Sequence, residues 1–163
     1  MNSYQRTLDA IDHKKTDRVP VIPLIIQYAL HISSIPHREY SSNGHKLAEA
    51  QINSLRRHRY DGIHITTDNQ IISEAFGCEI YLPDDEPPQY RSRVLGDAKD
   101  LTKLKKVDPY SSGRMPVILS ATRLAREELG DEYFIKTNCD SGPFSIAAAV
   151  RGEELFFMDL YED

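Results

Sequence analysis

The sequence has little cysteine and no long hydrophobic run, and both absences exclude whole classes of protein. Its two cysteines, Cys78 and Cys139, cannot form a disulfide framework, and no histidine or further cysteine stands beside them at zinc-ligand spacing. We therefore expect free, partly buried thiols. No segment approaches 18 consecutive apolar residues, so a membrane-spanning helix is not expected.

The N-terminal segment also lacks the apolar centre of a secretory signal, since "MNSYQRTLDAIDHKK" is polar and charged. A cytoplasmic location is the resulting expectation. The formal net charge is −5, with acidic and basic residues interspersed, which argues against a nucleic-acid-binding surface. The densest basic cluster, "RRHR" at 56–59, is typical of the solvated end of a helix. Neither a nucleic acid nor a membrane is an expected partner.

What is present suits an ordinary globular domain. The 163 residues are 40% apolar and 28% charged, and a domain of this size buries roughly 70% of the surface of its unfolded chain. We expect one domain over residues 1–163.

The chain alternates between β-like and helical patterns. The expected elements are a helix over 3–15 capped by Ser3, a strand in "VPVIPLII" (19–26), a loop or broken helix over 31–44, a helix over 45–59, a strand in "DGIHITT", a helix in "DNQIISEAFG" with Asp68 or Asn69 at its N-cap, a hairpin from "CEIYLP" and "QYRSRVLG", a charged connector over 99–107, a helix over 117–129, a strand in "EYFIKTN" and a helix in "GPFSIAAAV". Asp17 and Arg18 are expected to form an ion pair that anchors the first strand.

This alternation favours parallel strands with crossover helices, hence an α/β fold. A TIM barrel of eight such units needs about 250 residues, so we predict the N-terminal part of a (β/α)8 barrel, about half of it, with a β-hairpin insertion. The last segment, "GEELFFMDLYED", predicts a helix that is apolar around much of its circumference. Such a helix needs cover, so we expect the chain to be the N-terminal part of a longer protein or the obligate partner of another chain.

Three segments resemble, in order, the uroporphyrinogen decarboxylase superfamily, which includes cobalamin-dependent methyltransferases that serve coenzyme M. "RTLDAIDHKKTDRVPVIPL" is similar to the superfamily's first helix and strand, and "YDGIHITTDNQIISEAFGCEI" to its second strand and acidic turn. "SGPFSIAAAVRGEELFFMDLYED" resembles its Gly-Pro-Phe turn and the following helices. The family fold is a (β/α)8 barrel about twice this length, which agrees with the half barrel inferred from the element order.

The resemblance implies a site. Asp68 matches the cleft-facing acid after the second strand, which hydrogen-bonds substrate in the decarboxylases, and is the candidate catalytic residue. Gln27, Tyr28, Asn69 and Phe144 are candidate substrate-binding residues. Two alternatives stay open, since Asp68 also fits a helix cap and Phe144 also fits the core. The histidines show no spacing that suggests a metal, and we expect them to be exposed or in the core; for His64, which alternates with Ile63 and Ile65, the barrel cavity is the alternative.

Departures from the family pattern favour the methyltransferase branch. Decarboxylases carry an arginine-rich turn after the first strand that binds substrate carboxylates, whereas "LIIQYALHISSIPHREY" has no arginine before Arg38. The methyltransferases use zinc to activate a thiol, with ligands in the second half of the barrel. We therefore expect no metal or cofactor on this chain alone, and zinc and a corrinoid only with the C-terminal half.

Three functions remain as alternatives: part of a corrinoid-dependent methyltransferase, a uroporphyrinogen decarboxylase of tetrapyrrole biosynthesis, and a non-catalytic truncated module that dimerises and binds a tetrapyrrole or corrinoid. The expected partners are a small tetrapyrrole or corrinoid, or a corrinoid protein, together with a C-terminal half or a second copy of this chain. By itself the chain is not expected to turn over substrate.

Overall fold

The computed structural model describes residues 1–96, 100–138 and 141–162. Within these ranges the helices are α1 (Ser3–Ile11), α2 (Ile26–Ser33), α3 (His37–Ser42), α4 (Gly44–His58), α5 (Ile71–Phe76), α6 (Met115–Leu129), α7 (Pro143–Arg151) and α8 (Glu153–Glu162). The strands are β1 (Gly62–Ile65), β2 (Glu79–Tyr81), β3 (Gln89–Ser92) and β4 (Phe134–Thr137), and a 3-10 turn spans Leu101–Lys103.

Strand β1 pairs in parallel with β4, in a register that places Gly62 opposite Phe134 and Ile65 opposite Thr137. Helices α4 and α6 pack together on one side of this pair. Ile63 and Ile65 are fully buried in the main hydrophobic core that these helices share with the strands. Strand, crossover helix and parallel strand therefore form the repeating unit of a (β/α)8 barrel, and the predicted partial barrel is confirmed by the comparison reported below.

The predicted hairpin is present. Strands β2 and β3 pair antiparallel, with a register shift between Glu79 and Ile80. The hairpin lies between α5 and α6, and Ile80 and Tyr90 pack on a second, smaller core around Cys78, Leu95 and Val150. Burial raises the pKa of the Cys78 thiol, so Cys78 is the buried free thiol that the sequence predicted. Cys139 lies outside the described residues.

The prediction of a first strand is wrong, because its residues do not form the backbone hydrogen bonds of a strand. Residues 19–25 are extended and lie beside the start of β1, but form no strand. Asp61 N donates to Val21 O at 2.8 Å, whereas Val21 N donates to the Asp61 carboxylate and not to a backbone carbonyl. Pro20 and Pro23 have no amide hydrogen, so a regular ladder cannot continue across them.

Several predicted helix limits also need correction. Helix α1 ends at Ile11 and not at residue 15, and its N-cap is Asn2 rather than Ser3, because the Asn2 side chain accepts a hydrogen bond from Gln5 N. The stretch over 31–44 is a broken helix: α2 ends at Ser33, its C-cap Ser34 has a left-handed φ of 52°, and α3 follows. Helix α6 begins at Met115, two residues before the predicted start.

A buried charge cluster fixes the start of β1. The Asp61 side chain is fully buried and accepts hydrogen bonds from Arg6 Nη1 at 2.6 Å, Arg18 Nη1 at 2.6 Å, Arg18 Nη2 at 2.7 Å, Val21 N at 2.8 Å and Ser3 Oγ at 2.9 Å. The predicted ion pair between Asp17 and Arg18 is wrong, since Asp17 pairs with Arg6 and Arg18 with Asp61. One buried carboxylate therefore ties α1 and the extended segment to β1.

The C-terminal helix is largely uncovered. No residue of α8 is buried, and Phe157, Met158 and Leu160 are each more than half exposed. Val19 and Leu24, in the extended segment before α2, are also exposed. Within the described residues no helix is both long and apolar enough to cross a bilayer.

We predict that Asp61→Asn lowers the free energy of unfolding by roughly 3–5 kcal/mol, because it removes the buried charge that Arg6 and Arg18 share and leaves Arg6 with Asp17 as its remaining carboxylate partner. Burial alone would raise the pKa of Asp61, but the Arg18, Val21 and Ser3 hydrogen bonds outweigh it and hold the pKa below its ordinary value. The stabilisation is therefore complete above the unfolded pKa of about 3.9 and is lost as pH falls through the lower folded value.

Urea denaturation between pH 3 and 7 measures both effects. Asp131→Asn is the matched control, because its side chain is 87% exposed and should change the free energy by less than about 0.5 kcal/mol. Equal stability of Asp61→Asn and the native protein at pH 7 would contradict the prediction.

A second prediction concerns the close approach of β1 to β4. A Cβ on Gly62 would lie 2.3 Å from Phe134 O, whereas one on Gly142 would meet nothing within 4 Å. Gly62→Ala should therefore cost roughly 1–3 kcal/mol of stability, and Gly142→Ala about 0.5 kcal/mol from the weaker helix cap. Thermal denaturation of the two variants tests this. Equal losses of stability would contradict the prediction, because they would show that β1 and β4 can move apart to admit a methyl group without a measurable loss of free energy.

Candidate functional site

An acidic turn, residues 66–70, follows the carboxyl end of β1. Because β4 runs parallel to β1, its carboxyl end lies at the same edge, where Asn138 N donates to Ile65 O at 3.3 Å. Barrels of this class place their chemistry at the carboxyl ends of the strands. The acidic turn and Asn138 are thus at the edge where a site is expected.

Asp68, the predicted catalytic residue, lies at the centre of this turn and is 8% exposed. Its Oδ1 accepts from Gln70 N at 2.9 Å and from Arg114 Nη2 at 3.1 Å. Its Oδ2 accepts from Thr67 Oγ1 at 2.8 Å and from Arg114 Nη1 at 2.5 Å. Asp68 is not the N-cap of α5, as the sequence suggested, because that position is occupied by Gln70. Asp68 lies two residues before the cap and accepts a hydrogen bond from the Gln70 amide.

Arg114, just before α6, is the partner that holds Asp68. Its guanidinium forms a two-pronged pair with Asp68, and its Nε donates to Glu74 Oε2 at 2.6 Å. Burial opposes the charge of Arg114, but its hydrogen bond to Asp68 and the charges of Asp68 and Glu74 outweigh it and raise its pKa. Two carboxylates share one guanidinium, so the cluster carries one net negative charge.

This arrangement limits the chemistry of Asp68. A carboxylate offers about four acceptor positions, and each oxygen of Asp68 already accepts two hydrogen bonds. A substrate N–H or O–H that used Asp68 would have to displace Thr67, Gln70 or Arg114. In the structure Asp68 joins the end of β1 to the start of α6, and it fixes the shape of the turn.

A cavity of about 240 Å³ opens beside Asp68. Its walls are mainly apolar, and its polar edge is formed by residues at or just beyond the carboxyl ends of the two strands: Thr66, Asp68, Thr137 and Asn138. Thr137 Oγ1 is 3.0 Å from Thr122 Oγ1 of α6. Small-molecule sites commonly combine apolar walls with a few polar groups in this way.

The concave face of the β1–β4 pair is layered. Side chains alternate along a strand, so His64 and Lys136, which are cross-strand neighbours, face away from α4 and α6. One layer below, Phe134 stacks on Tyr4 of α1 with 6.2 Å between ring centroids. His64 is 6% exposed, and burial, with a smaller effect of Lys136, lowers its pKa. The strand alternation thus agrees with the cavity-facing alternative for His64.

The predicted substrate-binding residues come from different parts of the fold. Asn69 adjoins it in the turn and is exposed, as is Gln27 in the first turn of α2. The Tyr28 hydroxyl is 3.3 Å from His58 Nε2, at the end of α4 that leads into the amino end of β1. Tyr28 therefore lies near the opposite end of the strand from Asp68. Phe144 is 56% exposed and contacts Phe156 edge-on at 5.1 Å.

Sequence reasoning missed Arg114 and Glu74. One signal was available, since a cation at the N-terminus of a helix is disfavoured by the helix dipole. Arg114 occupies the N-cap position of α6, and such a placement indicates a buried acidic partner elsewhere in the chain. That the partner is Asp68, 46 residues earlier, is decided only by the fold.

The described residues contain no group of three histidine, cysteine or acidic side chains arranged to hold a metal ion. Cys78 is buried, and its thiol lies 4.0 Å from Ala149 O. A complete zinc site is therefore not formed by this part of the chain.

We predict that Arg114→Met destabilises the fold by roughly 3–5 kcal/mol, because it leaves the Asp68 and Glu74 carboxylates buried without their cation. Asp68→Asn combined with Arg114→Met should recover part of that loss. A double-mutant cycle by urea denaturation measures the coupling. Arg123→Met, on the exposed face of α6 with a side chain 71% exposed, is the control and should be neutral within about 0.5 kcal/mol. Strictly additive losses would show that the pair is not coupled.

Comparison with known proteins identifies the family and the fold of this chain. A search of curated proteins found no significant match. Among solved structures, a methyltransferase from Methanosarcina mazei superposes with a TM-score of 0.82 at 23% identity, over 98% of this chain and 48% of that chain. At this identity the likeness establishes the fold, and this chain spans about half of that structure. The family profile of uroporphyrinogen decarboxylase (URO-D) matches residues 2–163, and the chain therefore belongs to the uroporphyrinogen decarboxylase family.

Proposed function

We propose that this chain supplies the N-terminal half of a corrinoid-dependent methyltransferase of the uroporphyrinogen decarboxylase family. The observation that carries the proposal is the likeness of nearly the whole chain to 48% of the Methanosarcina mazei methyltransferase. The half barrel ends in α8, whose apolar side chains are exposed. The partner that we propose is a C-terminal half that closes the barrel.

The acidic turn is the part of the cleft that we assign to this chain. The cavity of about 240 Å³ beside Asp68 adjoins a second apolar cavity of about 650 Å³, and both are lined by Ile72. Asp68 fixes the shape of the turn, and Asn69, next to it, is the exposed polar group. Phe144, at the start of α7, is available as an apolar contact for a bound ligand.

Decarboxylation of uroporphyrinogen is the less favoured reaction. A substrate with eight carboxylates requires several free guanidinium groups. Among the described residues, the arginine at the acidic turn is Arg114, and Asp68 and Glu74 already bind it. Arg38 pairs with Asp84 at 2.9 Å. The described residues thus offer no cluster of uncommitted arginines at the carboxyl edge of the strands.

We assign no metal step to this chain, because its described residues form no three-ligand group. In the proposed enzyme the zinc ligands and the remaining corrinoid contacts come from the C-terminal half. What this chain contributes is a rigid wall, since Arg114 joins the end of β1, α5 and α6 through its bonds to Asp68 and Glu74.

A methyl-transfer assay tests the proposal. The chain is purified from its source together with whatever polypeptide completes the barrel, and methylcobalamin is mixed with an added thiol. We expect loss of the methyl–cobalt absorbance with the complex and no turnover with the chain alone. Arg114→Lys should lower kcat/KM at least tenfold, because a single ammonium group cannot replace the two-pronged pair. Asp131→Asn is the control.

Two outcomes would contradict the proposal. Consumption of uroporphyrinogen by the complex, without demethylation of methylcobalamin, would establish the decarboxylase instead. A stable homodimer in analytical ultracentrifugation, with tetrapyrrole binding and neither activity, would establish the non-catalytic module.

A further inference from the structure

The concave face of the β1–β4 pair carries two basic side chains that the proposed function does not use. His64 and Lys136 occupy paired positions in adjacent parallel strands, and their side chains project from the same face. His64 is buried to 94%, since its exposed fraction is 6%. Its Nε2 has no hydrogen-bond partner among the described residues.

This unsatisfied nitrogen requires an explanation, because buried polar groups in folded proteins nearly always have a partner. Leaving one unpaired costs about 1–3 kcal/mol. The described carboxylates do not supply the partner, since none pairs with Lys136 or His64. Asp61 and Asp68, the nearest acidic residues along β1, are each saturated by arginines.

The position of His64 and Lys136 along the two strands indicates from which end a ligand would reach them. The layer below is closed, because Phe134 stacks on Tyr4 and no side chain larger than hydrogen fits at Gly62. The layer above consists of Thr66 and Asn138, at the carboxyl ends of the strands. Within these two strands, His64 and Lys136 are therefore the basic pair nearest the carboxyl edge, and in barrels of this class ligands enter from that edge.

We propose that His64 and Lys136 form a binding site for the anionic group of a small ligand, at the floor of the cleft. The Lys136 ammonium supplies the charge, and the His64 Nε2–H donates a hydrogen bond to the same anion. This inference rests on the proposed function in one respect, the position of the cleft. It adds that the ligand carries a carboxylate, sulfonate or phosphate group that enters first.

Anion titration followed by NMR of protein labelled with 15N-histidine tests the site. Acetate, methanesulfonate and inorganic phosphate are added in turn at constant ionic strength, with chloride as the balancing anion. We expect a saturable shift of the His64 Nε2 resonance, which is assigned by its loss in His64→Gln. The relative affinities of the three probes identify the class of anion.

Lys136→Gln is the decisive variant, because Lys136 is exposed and its loss should leave the fold intact. It should weaken anion binding at His64 at least tenfold. Lys103→Gln, an exposed lysine on the 3-10 turn, is the matched control and should leave the affinity unchanged. Circular dichroism and thermal denaturation confirm that both variants are folded.

The proposal is overturned if no anion shifts the His64 resonance, or if Lys136→Gln and Lys103→Gln respond alike. It is also overturned if Lys136→Gln leaves anion binding unchanged but weakens association with the chain that completes the barrel, because an acidic side chain of that partner then occupies the site. None of these measurements uses a corrinoid. Failure of methyl transfer with intact anion binding would therefore count against the proposed function alone.

Discussion

Strand β1 depends on two buried carboxylates, one immediately before it and one just beyond its end. Asp61 is fully buried and Asp68 is 8% exposed, and each is neutralised by arginines that come from other elements. Arg6 and Arg18 bind Asp61, and Arg114 binds Asp68. A buried carboxylate without such partners would cost several kcal/mol. The same ion pairs therefore stabilise the strand and dictate which elements pack at each of its ends.

The two ends of the strand have different consequences. At the amino end, the Asp61 cluster and the stack of Tyr4 on Phe134 close the barrel with α1. At the carboxyl end, the pair of Asp68 with Arg114 holds a turn open beside a cavity. Closing one end and shaping the other leaves the cavity at the carboxyl edge, where barrels of this class place their chemistry.

The contacts of the candidate residues change the roles that can be assigned to them. Asp68 lies at the centre of the acidic turn, but its acceptor positions are filled, so its role in the structure is to position the turn. His64 and Lys136 face the cleft side instead and hold no described acidic partner. Tyr28, which the resemblance suggested for the site, contacts His58 near the other end of β1. The structure therefore separates Tyr28 from Asp68, two residues that the resemblance assigned to one site.

The sequence by itself determined the element types, the hairpin, the partial barrel and the position of Asp68 after a strand, because these follow from local periodicity, turn residues and strand polarity. It also predicted a C-terminal helix that remains uncovered. Only the tertiary structure decided which charged residues form pairs. Arg114 pairs with Asp68, 46 residues earlier in the chain, and Asp17 pairs with Arg6 and not with the predicted Arg18. The prediction of a first strand was wrong because Pro20 and Pro23 have no amide hydrogen to donate to a neighbouring strand. Whether those two donors are needed depends on which strand lies beside them. Long-range pairing of charges and donors is set by packing, which no local pattern in the chain encodes.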